Sequence, residues 1–576
     1  MKKILLIILF GGLLACTDDL DQQPVDKLSP ATAFNTEKDL QLYSNSFYLI
    51  LPTGNDIVRG DALSDYLVGR SLSTYVSPSF TSAEATGWSW GDLRNINYFL
   101  EHYNNARITQ EAKDHYAGLA RFFRAWFYFS KVKQFGDVPW YDKTMDVNDP
   151  DLYKARDPRT LVMDKVLEDL DFACAHIRSA KDNSSSQITR WVALAFKSRV
   201  CLYEGTMRKY HPELELTETA NFWLTEAATA AAEVMNGNQY KISTDLPSDL
   251  SYRKLFINET PNAQEVMLAA VNSLTLRVFN DANWYWTSAT YGGRYSFTKT
   301  FINTYLNKDG SRYTDAAGYM NVPFTDEVKN RDLRLAQTIR LGNYSRNGVA
   351  APPDFTYTYT GYQPIKLAVD SKDTDGRAEN YNSLPIIRYA EVLLNFAEAK
   401  AELKTFAPED WDKTIKVLRA RAGITNTAMP AAADAYLIAN YFPDLSDAVL
   451  LEIRRERGIE LALEGFRYGD LMRWKAGKLL EMQYVGMYVP ALDATYDLNE
   501  DGTKDVAFVK KVPATKVPGV YYFLIDDKQF KLSAGTSGNL ILMDNLERSF
   551  EDKKYLYPIP FNEVVLNPNL QQNPDW

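Results

Sequence analysis

A mainly α fold, with helices stacked as repeats beneath an irregular layer of loops and short strands, is predicted by three features of this 576-residue chain. Two regions carry apolar residues at three- and four-residue steps, the mark of amphipathic or sandwiched helices. Short connections join the helical runs of the second region, which implies antiparallel helix pairs. Between the two regions, residues 206–380 are rich in Gly, Pro, Asn, Asp, Tyr and Thr and hold few helical runs. At 45 % hydrophobic composition the chain can bury a large core, and a length of about 150 residues per domain allows two to four units.

The first region includes EAKDHYAGLARFFRAWFYFSKVKQFGDVPWY (111–141), where Leu119, Phe122, Phe123, Trp126 and Phe129 recur at helical spacing. Arg121, Arg124 and Lys131 share a narrow face, and Gly136 followed by Pro139 stops the helix. A helix apolar over most of its circumference must lie between others. The next, SQITRWVALAFKSRVCLYEG (186–205), offers Ala193, Ala195, Ser198 and Cys201 for close approach and is expected to end at Gly205. The second region runs through LPIIRYAEVLLNFAEAKAEL (384–403), PEDWDKTIKVLRARAGI (408–424) and DAVLLEIRRERGIELALEGFRYGDLMRWKAG (447–477). These pairs are of tetratricopeptide type without a strict 34-residue period. Residues 485–557 alternate as strands do, for example GVYYFLI (519–525).

The N-terminus reads MKKILLIILFGGLLAC: two lysines, eleven apolar or glycine residues, then Leu13-Leu14-Ala15-Cys16. The apolar stretch is shorter than the roughly 20 residues of a membrane span and is laid out as a secretory signal. Its end resembles a bacterial lipobox, which makes Cys16 the lipidated first residue of the mature chain. Residues 16–29 form a polar, acidic tether. The other two cysteines, Cys174 and Cys201, lie in helical patterns as buried free thiols. Net charge is −10, and −12 without Lys2 and Lys3. Such a balance repels nucleic acid and anionic lipid, so anchoring falls to the lipid rather than to the protein surface.

RFFRAWFYFSKVKQFGDVPW (121–140), NRDLRLAQTIR (330–340), TGYQPIK (360–366), LPIIRYAEVLLNFAEAKAEL, RRERGIELALEGFRYGDLMRW (454–474) and YLYPIPFNEVVLNPNLQQNPDW (555–576) occur in that order. Together they resemble the SusD/RagB family of outer-membrane nutrient-binding lipoproteins, over essentially the whole mature chain. The resemblance implies four tetratricopeptide-like helix pairs carrying a loop-rich layer, a glycan ligand at the cell surface, and a SusC-like TonB-dependent barrel as partner. Some relatives are associated with peptides instead. It divides the chain into a signal (1–15), a tether (16–29), an N-terminal helical region (30–210), a loop-rich ligand-facing region (211–380), a second helical region (381–480) and a C-terminal region (481–576). Within it, Arg454, Arg455, Glu456, Arg457, Glu460 and Glu464 stand at spacings suited to a salt-bridge lattice on one helix, and Pro558 and Pro560 fix an extended exit strand.

The residues expected to meet ligand cluster in NDANWYWTSATYGGRY (280–295): Trp284, Tyr285, Trp286, Tyr291 and Tyr295, with Asn280, Asp281, Asn283 and Arg294. Neighbouring rings cannot all face one core. A flat ring stacks on the C–H face of a pyranose, while amides and charged groups take up the hydroxyls, because a buried unpaired hydroxyl costs about 1–3 kcal/mol. The alternative is that the rings pack the loops onto the helices or cover the barrel. A second group is Tyr66, Arg70, Tyr75, Trp88 and Asn97, with Trp90 anchoring the following helix; a third is Tyr357, Tyr359 and Tyr362, on a strand with one buried face.

Catalytic patterns are absent: the four histidines are scattered, and no HExxH, GxSxG, phosphate loop or CxxC occurs. Glu398 with Glu402, or Glu460 with Glu464, has the residue types of a glycosidase pair, yet ion pairing on helices explains them better. The expectation is a binding protein, not an enzyme, with a lipid-anchored hydrolase and a ligand-free helical scaffold as alternatives. No cofactor is expected, apart from structural calcium in DLNEDGTKD, where Asp497, Asn499, Asp501 and Asp505 have calcium-loop spacing but Phe508 stands at position 12. A solvated hairpin turn is the competing reading.

Overall fold

The computed structural model describes residues 34–287, 292–342 and 344–576. Helix accounts for 43 % and strand for 10 %, so the mainly α prediction holds. The helix Gln110–Phe135 opens on Thr109, whose hydroxyl accepts from the Ala112 N–H, and closes at Gly136, which takes φ +75° where other residues are strained. It is buried nearly all round. Two cations of its polar face are buried: Arg124 donates twice to Asp169 on the neighbouring helix Arg159–His176 (2.7 and 2.8 Å), and Lys131 reaches the Gly87 carbonyl.

Helices then stack in sequence order. Arg159–His176 packs on Arg190–Tyr210, which packs on Ala220–Asn236, then Tyr389–Glu402, then Ala448–Glu460. Ala220–Asn236 lies inside a stretch expected to hold few helices; its alanine-rich sequence is a strong helix former. Arg190–Tyr210 does not end at Gly205. That glycine sits mid-helix, where a Cβ would come within 2.8 Å of the Leu224 side chain and 2.9 Å of its backbone nitrogen. Its missing side chain sets the helix spacing. Gly205→Ala should therefore destabilise by about 1–3 kcal/mol through overpacking, although alanine alone favours a helix by about 1 kcal/mol. A thermal midpoint that rises in this variant would refute the packing role.

Three other expected helices are interrupted. Residues 384–388 form a strand antiparallel to Val266–Ala270 before the helix starts at Tyr389. Residues 408–421 break at Thr414. Ala448–Glu460 is followed by a turn holding Leu463 (φ +65°) and Gly465 (φ +81°), then by Arg467–Arg473. The turn is needed because Gly465 lies against Gly60: a Cβ on Gly60 would sit 2.7 Å from the Gly465 Cα. Asp61 seals this contact by accepting from the N–H groups of Gly465 and Arg467 and from the Tyr66 hydroxyl.

The salt-bridge lattice joins elements rather than lying on one helix. Glu460 accepts from Arg334 (2.8 Å), Arg388 (2.6 Å) and Arg421; Glu456 from Arg334 and Arg419; and Glu464, beyond the helix end, from Lys366 and Arg388. Arg455 with Glu452 is the same-helix pair, and Arg455 also reaches Asp434. All these groups are buried, which the helical spacing alone did not reveal.

The loop layer carries small sheets, among them Phe530–Leu532, Gly538–Leu542 and Tyr484–Val489 in that order, and Tyr521–Leu524, Val506–Val509 and Thr495–Tyr496 in that order. Residues 557–560 run extended into the helix Phe561–Leu566. This C-terminal region closes over the first helices: the Asn573 amide donates to the Phe135 carbonyl (3.0 Å) and the Tyr75 hydroxyl to the Lys554 carbonyl (2.5 Å). No described helix is long and apolar enough to cross a membrane.

Candidate functional site

The expected ring cluster opens as a short helix, Ala282–Thr287, which fans its side chains apart. Trp286 turns inward and is 3 % exposed; Trp284 and Tyr285 are half-buried at the surface. Tyr295 precedes the strand Ser296–Phe297, which pairs antiparallel with Leu67–Val68. Its ring stacks on Tyr285 at 5.7 Å and meets Trp286 edge-on at 6.2 Å. Two glycines make room for it, since a Cβ on Gly293 or Gly69 would lie 2.4 or 2.7 Å from Tyr295 ring carbons. Burial pushes the Tyr285 and Tyr295 hydroxyls to titrate above the usual tyrosine range.

Cations surround these rings. The Arg59 guanidinium lies 5.0 Å from the Tyr285 centroid and is fixed by Asp281; Arg377 lies 5.7 Å from the Trp284 centroid. Arg294, at φ +49°, donates to the Tyr359 hydroxyl (3.3 Å), and its charge acts on Tyr521, 38 % exposed on a nearby strand. Arg70 is exposed beside them, its N–H bonded to the Gly293 carbonyl (3.0 Å). Trp284, Tyr285, Tyr295, Arg294 and Arg70 thus share one surface. Arg59, Arg377 and Tyr521 join it unannounced: each is remote in sequence and lies in no aromatic cluster that includes Trp284.

Several expected contacts are structural instead. Asn283 is fully buried; its amide donates to the Val369 and Ser371 carbonyls and its oxygen accepts from the Val369 N–H and from Asn380. Asn280 and Asp281 are likewise buried. Tyr66 stacks on Phe301 (4.5 Å), Tyr75 on Tyr557 (4.1 Å), and Trp88 packs edge-on against Phe135 (5.0 Å). Asn97 donates to the Tyr141 carbonyl (3.0 Å). These four residues build the core, so the second expected group contributes only Arg70 to the surface. In the third, residues 355–357 form a turn rather than a strand; Tyr362 is buried and Tyr359 nearly so. Cys16 and Tyr291 lie outside the described residues.

Residues 270–576, more than half of the chain, match the SusD family. The chain belongs to that family. Residues 88–202 match a second description, starch-binding associating with outer membrane. Among curated SusD-like proteins, P2 of Formosa agariphila is 25 % identical over 503 residues, covering 82 % of this chain and 91 % of the relative. P25 of the same organism is 23 % identical over 509 residues, covering 83 % and 90 %. Two SusD-like structures from Bacteroides fragilis superpose with TM-scores of 0.69 and 0.68 at 20 % and 21 % identity; they cover 96 % and 93 % of this chain and 100 % and 99 % of their own. The second is described as carbohydrate binding. These neighbours fix a SusD fold of helix pairs under a loop layer, the layer in which the ring surface lies.

On this SusD scaffold the paired glutamates are locked. Glu398 accepts from Arg473 (2.5 and 2.7 Å) and the Trp474 indole, and Glu402 from Lys209 and Tyr210. Neither presents a carboxyl to solvent. The loop 497–505 closes on itself: Asp497 accepts from the Gly502 N–H (2.8 Å), Asp501 from the Thr503 N–H (2.7 Å) and Asp505 from the Leu498 N–H (2.6 Å). Asn499 donates its amide to Asp501. Among the described residues no group of three or more His, Cys, Asp or Glu is arranged to hold a metal. These contacts are those of the hairpin turn that the sequence offered as the alternative.

Proposed function

We propose that this protein is a lipoprotein of the outer-membrane surface, anchored through Cys16, that captures an oligosaccharide and hands it to a SusC-like TonB-dependent barrel without altering it. The half-buried Trp284 beside Tyr285 and Tyr295, rimmed by Arg70, Arg294 and Arg377, is the observation that carries this reading. An indole face offers a pyranose a dry, electron-rich platform, and the guanidinium groups supply donors for its hydroxyls. Membership of the SusD family supports the transport role. Capture raises the local sugar concentration, and closure over the barrel would favour the state that binds ligand more tightly.

Trp284→Ala is the direct test, because its ring lies at the surface while Trp286 and Tyr295 are built into the layer. We expect retardation by the cognate polysaccharide in affinity electrophoresis to weaken about tenfold, roughly 1.4 kcal/mol, with helical circular dichroism unchanged. Unchanged affinity would remove the platform from the site. A panel that includes peptides separates the readings, since retention by peptide alone would replace the glycan.

A further inference from the structure

Among the helices a cleft of about 270 Å³ opens between Gln110–Phe135, Arg190–Tyr210 and the turn after Glu460. Its walls include Trp126, Phe129 and Phe466. Four cations line it, and three are neutralised. Arg199 is gripped by Glu391 (2.6 and 2.7 Å), Arg457 by Asp470 (2.8 Å), and Arg473 by Glu398 and Asp470. The carboxylates of the cleft are equally committed: Glu464 to Lys366 and Arg388, Asp470 to its two arginines, and Asp56 to the Thr53 cap. Lys133 alone among these described cations has neither an ion pair nor a hydrogen bond; its ammonium lies 4.9 Å from the Phe129 centroid. Lys133 is solvent-exposed where it lines the cleft, so its ammonium is open to an incoming ligand. The crowded walls and the nearby Arg199 pull its ammonium down to about 8, a strain that an incoming anion would relieve.

We propose that this cleft is a second ligand site, in which Lys133 takes the carboxylate of a single uronate-type sugar whose ring lies beside Phe466. The volume is near the lower end for small-molecule pockets and accommodates one ring rather than a chain. One ammonium is a compact point charge suited to one carboxylate; a phosphate dianion calls for the bidentate donors that Arg199, Arg457 and Arg473 have already spent on glutamate and aspartate. The net charge of −10 provides no diffuse attraction for polyanions, so recognition must be local.

The test is reductive methylation of the full mature chain with ¹³C-formaldehyde, which keeps lysine charge and gives each lysine an NMR signal. The Lys133 signal is assigned by its loss in Lys133→Met. Glucuronate should shift it saturably, while glucose and acetate, which lack the carboxylate or the ring, should bind at least about tenfold more weakly. Calorimetry on unmethylated protein should show the same order, with glucuronate binding weakened about tenfold or more in Lys133→Met and largely kept in Lys133→Arg. Absence of a glucuronate shift, equal binding of acetate or glucose, or unaltered affinity in Lys133→Met would each overturn the proposal. Trp284→Ala should leave glucuronate binding intact, so this site and the ring surface stand or fall separately.

Discussion

Replacing Glu460 with glutamine should lower the stability of the protein by about 3–5 kcal/mol, the largest effect expected of any single isosteric change here. The carboxylate is fully buried and accepts from Arg334, Arg388 and Arg421, and these three guanidiniums, led by Arg421, hold it far below the usual carboxylate range. Asp332, Glu265 and Glu464 would neutralise them only in part once the charge is removed. The amide would also turn N–H donors toward donors. Urea denaturation followed by circular dichroism measures the loss. Glu168→Gln, which removes an exposed partner of Lys165, is the control and should change stability by less than about 1 kcal/mol. A Glu460→Gln midpoint as high as that of the control would show that the network is not critical for stability.

Acid should unfold the protein through the same groups. Glu398 is lowered from 4.5 to about 2 by Arg473, with Glu456 and Glu460 also lowered by their arginines, against the cost of burial. A carboxylate depressed in the folded state stabilises above its unfolded value and loses that contribution as pH falls toward the folded one. The window therefore runs from about 4.5 down to about 2. Groups that act at higher pH oppose one another, with the buried His211 lowered as His115 is. Burial lowers His115 from 6.5 to about 4, so stability falls as pH drops through that interval. Burial raises Asp61 from 3.8 to about 6, so stability rises as pH drops through its own. The urea midpoint should thus change little from pH 7 to pH 5 and collapse by pH 3. An equal midpoint at pH 3 and pH 7 would contradict the assignment, and Glu398→Gln should flatten the acid limb while lowering the plateau.

The helical base was readable because periodicity reports burial directly. The run from Leu119 to Phe129 and the stop at Gly136 needed no partner to be seen. Glycine was less transparent: Gly136 ends a helix by adopting positive φ, whereas Gly205 continues one because Leu224 presses against it, and only the neighbour distinguishes the two. The glutamates and arginines of 454–464 showed helical spacing, but their true partners, Arg334, Arg388 and Arg421, come from segments up to 126 residues away. The ring surface was half legible. A Trp-Tyr-Trp sequence guarantees divergent rings, yet which one faces outward depends on the Gly69 and Gly293 cradle for Tyr295. Asn283 misled because an amide suited to a hydroxyl is equally suited to the carbonyls of 369 and 371.

The bonds from the Asn573 amide to the Phe135 carbonyl and from the Tyr75 hydroxyl to the Lys554 carbonyl join the two ends of the described chain. The first pair lies 438 positions apart, and closing so large a loop is slow compared with local helix formation. The C-terminal segment is therefore expected to dock last, as a clasp over helices that have already formed.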